Sequence, residues 1–149
     1  MVVAIVLAGG QKNGFLTEGG ELSYNEALLK IGDKFMIEYV LEALQGSQYI
    51  QRIIVAGQAE NLQTVFSGRA DITIVQGGET IIASFKNAFK EFKNLSAKLS
   101  IVTGDLPLLT TEAVDHFLAA GLSREGDLFD PVVAREAHEE KYPGVQRTY

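Results

Sequence analysis

The sequence predicts an α/β fold: a doubly wound, mainly parallel sheet with helices on both faces. Three observations lead there. Val2 to Ala8 form an unbroken apolar run without polar alternation, the pattern of a strand buried on both faces. Further strand patterns at 52–56, 72–76 and 99–103 are separated by helical patterns, and strands joined in this rhythm pair in parallel through right-handed crossovers. Each of the four runs is followed at once by glycine, as Gly9-Gly10, Gly57, Gly77-Gly78 and Gly104-Asp105. In a parallel sheet these turns share the edge where ligands bind. Glycine at all four points to backbone that a ligand approaches closely.

Taken in order, the first strand runs into Gly9-Gly10-Gln11-Lys12-Asn13-Gly14. Lys12 puts a cation beside backbone N–H groups, a setting suited to phosphate. Residues 15–24 are polar with Gly19-Gly20 in the middle, and read as a loop over the crevice. Met36, Ile37, Val40, Leu41 and Leu44 form the stripe of a core-facing helix that Gly46 ends. A weaker helix over 61–66 turns Leu62, Val65 and Phe66 inward. The clearest helix spans about 79–94, with Ile81, Phe85, Ala88, Phe89 and Phe92 expected in the core. Pro107 interrupts the chain after the fourth strand, and a helix starts near Thr110 or Thr111, either of which can cap it. Leu128 to Ala134 read as a further strand weakened by Pro131, and Arg135 to Lys141 as a short polar helix.

Length and composition narrow the function classes. The chain has 149 residues, 46% of them apolar, which fits one globular domain over 1–149. A chain of this size buries about 68–70% of its unfolded surface, enough for a sheet covered on both sides. The net charge of −6 argues against a broad nucleic-acid surface. No run is long enough to span a bilayer, and the lack of cysteine fits a cytoplasmic location.

The glycine spacing excludes two phosphate loops. Phe15-Leu16 stand where a Walker loop needs Lys-Ser/Thr. The dinucleotide pattern GxGxxG is absent, and no acid follows the second strand. Asp105, just past a buried strand on the ligand edge, is placed to hold Mg²⁺. The histidines His116 and His138 have no metal-ligand spacing and read as surface residues. Ser84 and Ser100 lack a histidine partner and a nucleophile elbow.

Four stretches together resemble the MobA-like NTP transferases, nucleotidyltransferases with a GT-A/Rossmann-like fold. They are Leu7-Ala8-Gly9-Gly10, residues 25–40, Gly77-Gly78 with Ser84, and Thr103-Gly104-Asp105-Leu106-Pro107. The resemblance implies that Leu7, Ala8, Gly9, Gly10 and Gly14 surround the NTP phosphates, and that Gly77, Gly78 and Ser84 help to hold base and ribose. It implies Asp105 as ligand of Mg²⁺, with Lys12 and Lys30 as catalytic cations. The implied reaction is attack by a phosphorylated small molecule, a sugar phosphate or pterin-type cofactor, on the α-phosphorus of a nucleoside triphosphate, releasing pyrophosphate.

Three departures accompany the resemblance. Lys12 stands in for an arginine after the glycines. Glu26 occupies the place of the family lysine before Ala27-Leu28-Leu29, so only Lys30, on the far side, remains as a substitute. The resemblance also implies that this chain is the N-terminal part of a longer nucleotidyltransferase. The alternative reading is a non-catalytic nucleotide-binding or sensing module; neither reading bears on whether the chain forms a homo-oligomer.

Overall fold

The computed structural model describes residues 2–9, 15–16, 22–23, 25–92 and 98–145. The elements follow in the order β1 (Val2–Ala8), β2 (Phe15–Leu16), β3 (Leu22–Ser23), a 3-10 turn (Glu26–Leu28), β4 (Lys30–Ile31), β5 (Lys34–Phe35) and α1 (Met36–Gln45). Then come β6 (Ile50–Gly57), α2 (Ala59–Val65), β7 (Ile72–Gln76), α3 (Ile81–Lys90), β8 (Lys98–Thr103), α4 (Thr111–Leu122) and α5 (Arg135–Lys141). The chain divides into two compact units, Met1–His116 and Phe117–Tyr149.

The first unit holds a four-stranded sheet in the order β7-β6-β1-β8, every neighbour parallel. β1 is the hinge of this topology, with Ile5 opposite Ile54 on one side and Ile101 on the other. From β1 the chain steps outward to β6 and β7, then crosses back to β8 on the far side of β1. The winding therefore reverses between β1 and β8, which makes their carboxyl ends a topological switch point.

Burial on both faces explains the composition of β1. On one face Ile5, Ile54 and Ala56 pack with Ala88 of α3, flanked by Leu7, Val75 and Phe85. Alternate positions point the other way, and there Ala4, Val6, Ile53 and Val55 are also buried. Helix α1 lies against β6 and α2 against β7. From α1, Ile37, Val40, Leu41 and Leu44 are fully buried, each such side chain worth about 1.5–3 kcal/mol. Gly46 ends α1 at a tight approach, since a Cβ there would stand 2.5 Å from Thr111 Oγ1. That hydroxyl donates to Ala43 O at 3.0 Å and ties the start of α4 to the end of α1.

Two sequence expectations change in this unit. Helix α3 starts at Ile81, capped by Thr80, whose Oγ1 accepts from Ala83 N at 3.1 Å. Its buried positions are Ser84 and Ala88, whereas Ile81 and Phe89 are exposed. The stripe counted apolar residues, but the sheet lies under the face that also carries Ser84.

In the second unit, residues 128–134 form no strand. Pro131 has no N–H to give a ladder, and Leu128, Val132 and Val133 stay exposed. Gly121 and Gly126 leave space that the Phe129 ring occupies. The Arg135–Glu139 pair lies along exposed α5 at 2.7 Å. His138, read from sequence as a surface residue, is instead 7% exposed, its ring 5.7 Å from that of Tyr142 one turn on. Among the described residues no helix is long and apolar enough to cross a membrane.

Close packing at the sheet edge gives the first prediction. A Cβ on Gly57 would meet Leu62 Cδ1 at 2.8 Å and Ala8 O at 3.0 Å. Gly57→Ala is therefore expected to cost about 1–3 kcal/mol through overpacking, read as a lower urea midpoint; an unchanged midpoint contradicts this packing.

Candidate functional site

A crevice of about 330 Å³ opens at the carboxyl edge of the sheet, beside the reversal between β1 and β8. Leu7, Ala56 and Thr103, the ends of three strands, form its floor. Gly9 and Gly104-Asp105 enter from the turns after β1 and β8, and Glu26-Ala27 from the 3-10 turn. Gly78, Glu79, Thr80, Ile81 and Ser84 close the remaining side.

Local backbone demands fix each wall. Gly9 has φ +79°, the left-handed region that glycine enters without penalty. A Cβ there would also stand 3.2 Å from Asn25 Oδ1. The same Oδ1 accepts from Ala27 N at 3.1 Å and so starts the 3-10 turn. That turn is pressed against the end of β8. A Cβ on Gly104 would lie 3.3 Å from Ala27 Cβ, and Gly104 N donates to Leu7 O at 2.9 Å. The contact between Ala27 and Gly104 brings their chain neighbours Glu26 and Asp105 to one crevice.

The turn after β7 is held as tightly. Gly77 N donates to Gly57 O at 2.7 Å, and Gly78 N donates to the buried Ser84 Oγ at 3.0 Å. The first turn of α3 thus opens onto the crevice, with the positive end of the helix dipole facing it.

Of the residues singled out from sequence, Leu7, Gly9, Gly78, Ser84 and Asp105 line this one crevice. Ala8 is fully buried, and Gly77 lies in the adjoining turn. Lys30 is not among the lining residues: its exposed Nζ lies 5.5 Å over the Phe35 ring. Gly10, Lys12 and Gly14 lie outside the described residues. Sequence reasoning missed Thr80, Glu79 and Ile81. The string Glu-Thr-Ile-Ile after Gly77-Gly78 offered a signal, because threonine before an apolar run is a helix cap.

Among the described residues, the lining carries three carboxylates, Glu26, Glu79 and Asp105, and no lysine or arginine. An anionic ligand therefore needs positive charge from elsewhere. Carboxylate oxygens are the hard donors that Mg²⁺ or Mn²⁺ takes. Among the described residues no three His, Cys, Asp or Glu side chains form a metal cage. Sharing an ion with ligand phosphates is the usual arrangement for Mg²⁺, so these residues fit that role.

The family model of the MobA-like NTP transferase domain matches residues 4–145. A probable molybdenum cofactor guanylyltransferase of Pyrococcus furiosus is 28% identical over 125 residues, which are 80% of this chain and 55% of that protein. A hypothetical transferase from Thermus thermophilus superposes with a TM-score of 0.75 at 28% identity, over 99% of this chain and 57% of that one. Rv0371c of Mycobacterium tuberculosis, solved in complex with manganese, shares the fold at a TM-score of 0.57 and 15% identity. It is matched over 80% of this chain and 59% of its own. The chain thus spans little more than half the length of these relatives.

Ser84 supplies a stability test for the wall it holds. Ser84→Ala leaves Gly78 N without its acceptor and is expected to cost about 1 kcal/mol in chemical denaturation; no measurable cost would show that this bond does not support the turn.

Proposed function

The chain belongs to the MobA-like NTP transferase domain family, and we propose that it binds a nucleoside triphosphate with Mg²⁺ in the crevice between the ends of β1 and β8. The proposed reaction transfers the nucleotidyl group to a phosphorylated small molecule, a sugar phosphate or a pterin-type cofactor. One observation carries the reading: the Gly9 turn, the N-terminal turn of α3 and the Asp105 carboxylate converge on one crevice at the switch point.

Each wall takes one part of the ligand. Gly9 gives the phosphates access to backbone, and Gly10, Lys12 and Gly14, which follow it in sequence, are assigned to the same phosphates. Gly78, Thr80 and Ser84 lie where base and ribose would be held. Asp105 is the metal ligand, and a divalent ion there would draw charge from the α-phosphate. The manganese-bound relative supports a divalent cation in this fold without choosing between Mg²⁺ and Mn²⁺. In the reaction an acceptor phosphate oxygen attacks the α-phosphorus, a new P–O bond forms, and the bond to the β-phosphate oxygen breaks to release pyrophosphate. Catalysis is then positioning plus charge neutralisation, with Lys12 as the cation assigned to the phosphates. Lys30 is left out of this assignment because it lies over Phe35.

Glu26 favours a second reading, nucleotide binding without transfer. It lines the crevice where the family pattern has lysine, and its charge opposes that of the phosphates. Pyrophosphate release with phosphorylated acceptors separates the two readings.

Two variants test the site. With saturating NTP and Mg²⁺, ligand at about a hundred times Kd stabilises a protein by about 2.7 kcal/mol. Asp105→Asn should remove the Mg²⁺-dependent part of that stabilisation and leave the apo melting temperature unchanged; an intact Mg²⁺-dependent shift would sink the metal assignment. Glu26→Lys should tighten triphosphate binding by about tenfold, in line with one favourable charge contact of about 1.4 kcal/mol. Calorimetry that finds equal affinities would show Glu26 turned away from the phosphates.

A further inference from the structure

Helix α3 presents an apolar side chain to a crevice whose other exposed residues are polar or glycine. Ile81 is 74% exposed, and among the described residues it is the one large exposed apolar side chain of the lining. The fold does not call for it there. Thr80 caps the helix, and Ser84 and Ala88 are its buried positions, so α3 starts and packs without Ile81. A β-branched residue is also no better a helix former than serine. The neighbouring Ile82 is nearly as exposed, at 66%, but does not line the crevice. The two isoleucines are a matched pair that differs in what it faces.

Phosphate is a poor occupant of this wall. The Thr80 hydroxyl already accepts from Ala83 N, and Ser84 Oγ accepts from Gly78 N, so two donors that an anion would use are engaged. Glu79 beside them adds a negative charge to the lining. An isoleucine side chain offers no hydrogen bond, and laying phosphate on it would strip water from charged oxygens without return. A flat, uncharged aromatic group loses little there, and the contact removes apolar surface of both partners from water. We infer that Ile81 is the apolar platform for the nucleobase, the side chain on which one face of the base rests while the triphosphate turns toward Gly9 and Asp105. This rests on the nucleotide reading above and adds a binding residue to it. Ligand sites commonly pair such an apolar surface with a few polar groups that fix orientation, and here Thr80 and Ser84 stand beside it.

Polar substitution of the two isoleucines separates a platform from an ordinary surface residue. Ile81→Ser and Ile82→Ser should both keep the apo melting temperature, since both side chains are exposed and the two residue types have similar helix propensity. Calorimetry on the whole chain with Mg²⁺ would compare inorganic tripolyphosphate with ATP, GTP, CTP and UTP, scored on whichever nucleotide binds most tightly. Ile81→Ser should weaken that nucleotide about three- to tenfold, the worth of covering roughly half an isoleucine side chain. Ile81→Met keeps an apolar surface and should stay within about twofold of the wild type, as should Ile82→Ser. Tripolyphosphate affinity should change by less than about twofold in all three variants. Wild-type nucleotide affinity in Ile81→Ser overturns the inference. Equal weakening by Ile82→Ser also overturns it, in favour of a general effect at the helix start. Equal weakening of tripolyphosphate does the same, because it would put Ile81 beside the phosphates. A wild-type chain that binds nucleotide no more tightly than tripolyphosphate has no working base platform, and this too overturns it. A wild-type chain that binds none of the nucleotides defeats the nucleotide reading itself, and the inference with it.

Discussion

The structure depends on the burial of β1 on both faces. A seven-residue strand with no polar position must have helices above and below, and it must have strands on both sides to take up its hydrogen bonds. Its partners β6 and β8 are both parallel to it, so each connection crosses a face of the sheet. These requirements carry α3 to one face, place β8 across from β6, and bring the ends of β1 and β8 side by side where the winding reverses. The crevice is a consequence of that arrangement rather than an addition to it.

Protein packing alone accounts for several glycines of this edge. Gly57, Gly77 and Gly104 have close neighbours of their own: Leu62 and Ala8, the Gly57 backbone, and Ala27. Main-chain bonds from Gly77 to Gly57 and from Gly104 to Leu7 lace these turns together. Glycine after every strand therefore signalled, in part, a tightly laced edge. Gly9 differs, with a left-handed backbone and the Asn25 amide behind it.

The fold was legible in the sequence because its signals are local: apolar runs, helical stripes and the residues that end them. Gly9, Gly78 and Asp105 could be grouped at one edge because parallel topology sends strand ends there, while Leu7 and Ser84 joined them only through the family resemblance. What stayed hidden depends on contacts across the chain. The apolar count put Ile81 in the core, yet it sits in the first turn of α3 at the crevice and is 74% exposed. The burial of His138 follows from packing that no spacing encodes. Lys30 looked usable until the β4–β5 hairpin placed it over Phe35. That Glu26 and Asp105 line one crevice rests on Ala27 packing against Gly104, some eighty residues away in the sequence.

The proposed function puts a divalent cation between the acidic crevice and a bound triphosphate. Paramagnetic broadening of backbone amide signals by Mn²⁺ with an NTP tests it most directly, because the effect falls off steeply with distance from the ion. The account predicts that Gly9, Gly78, Gly104 and Asp105 broaden first, and only when metal and nucleotide are both present. Broadening that centres instead on the acidic helix α5, at Glu136, Glu139 and Glu140, or that ignores the nucleotide, would contradict it.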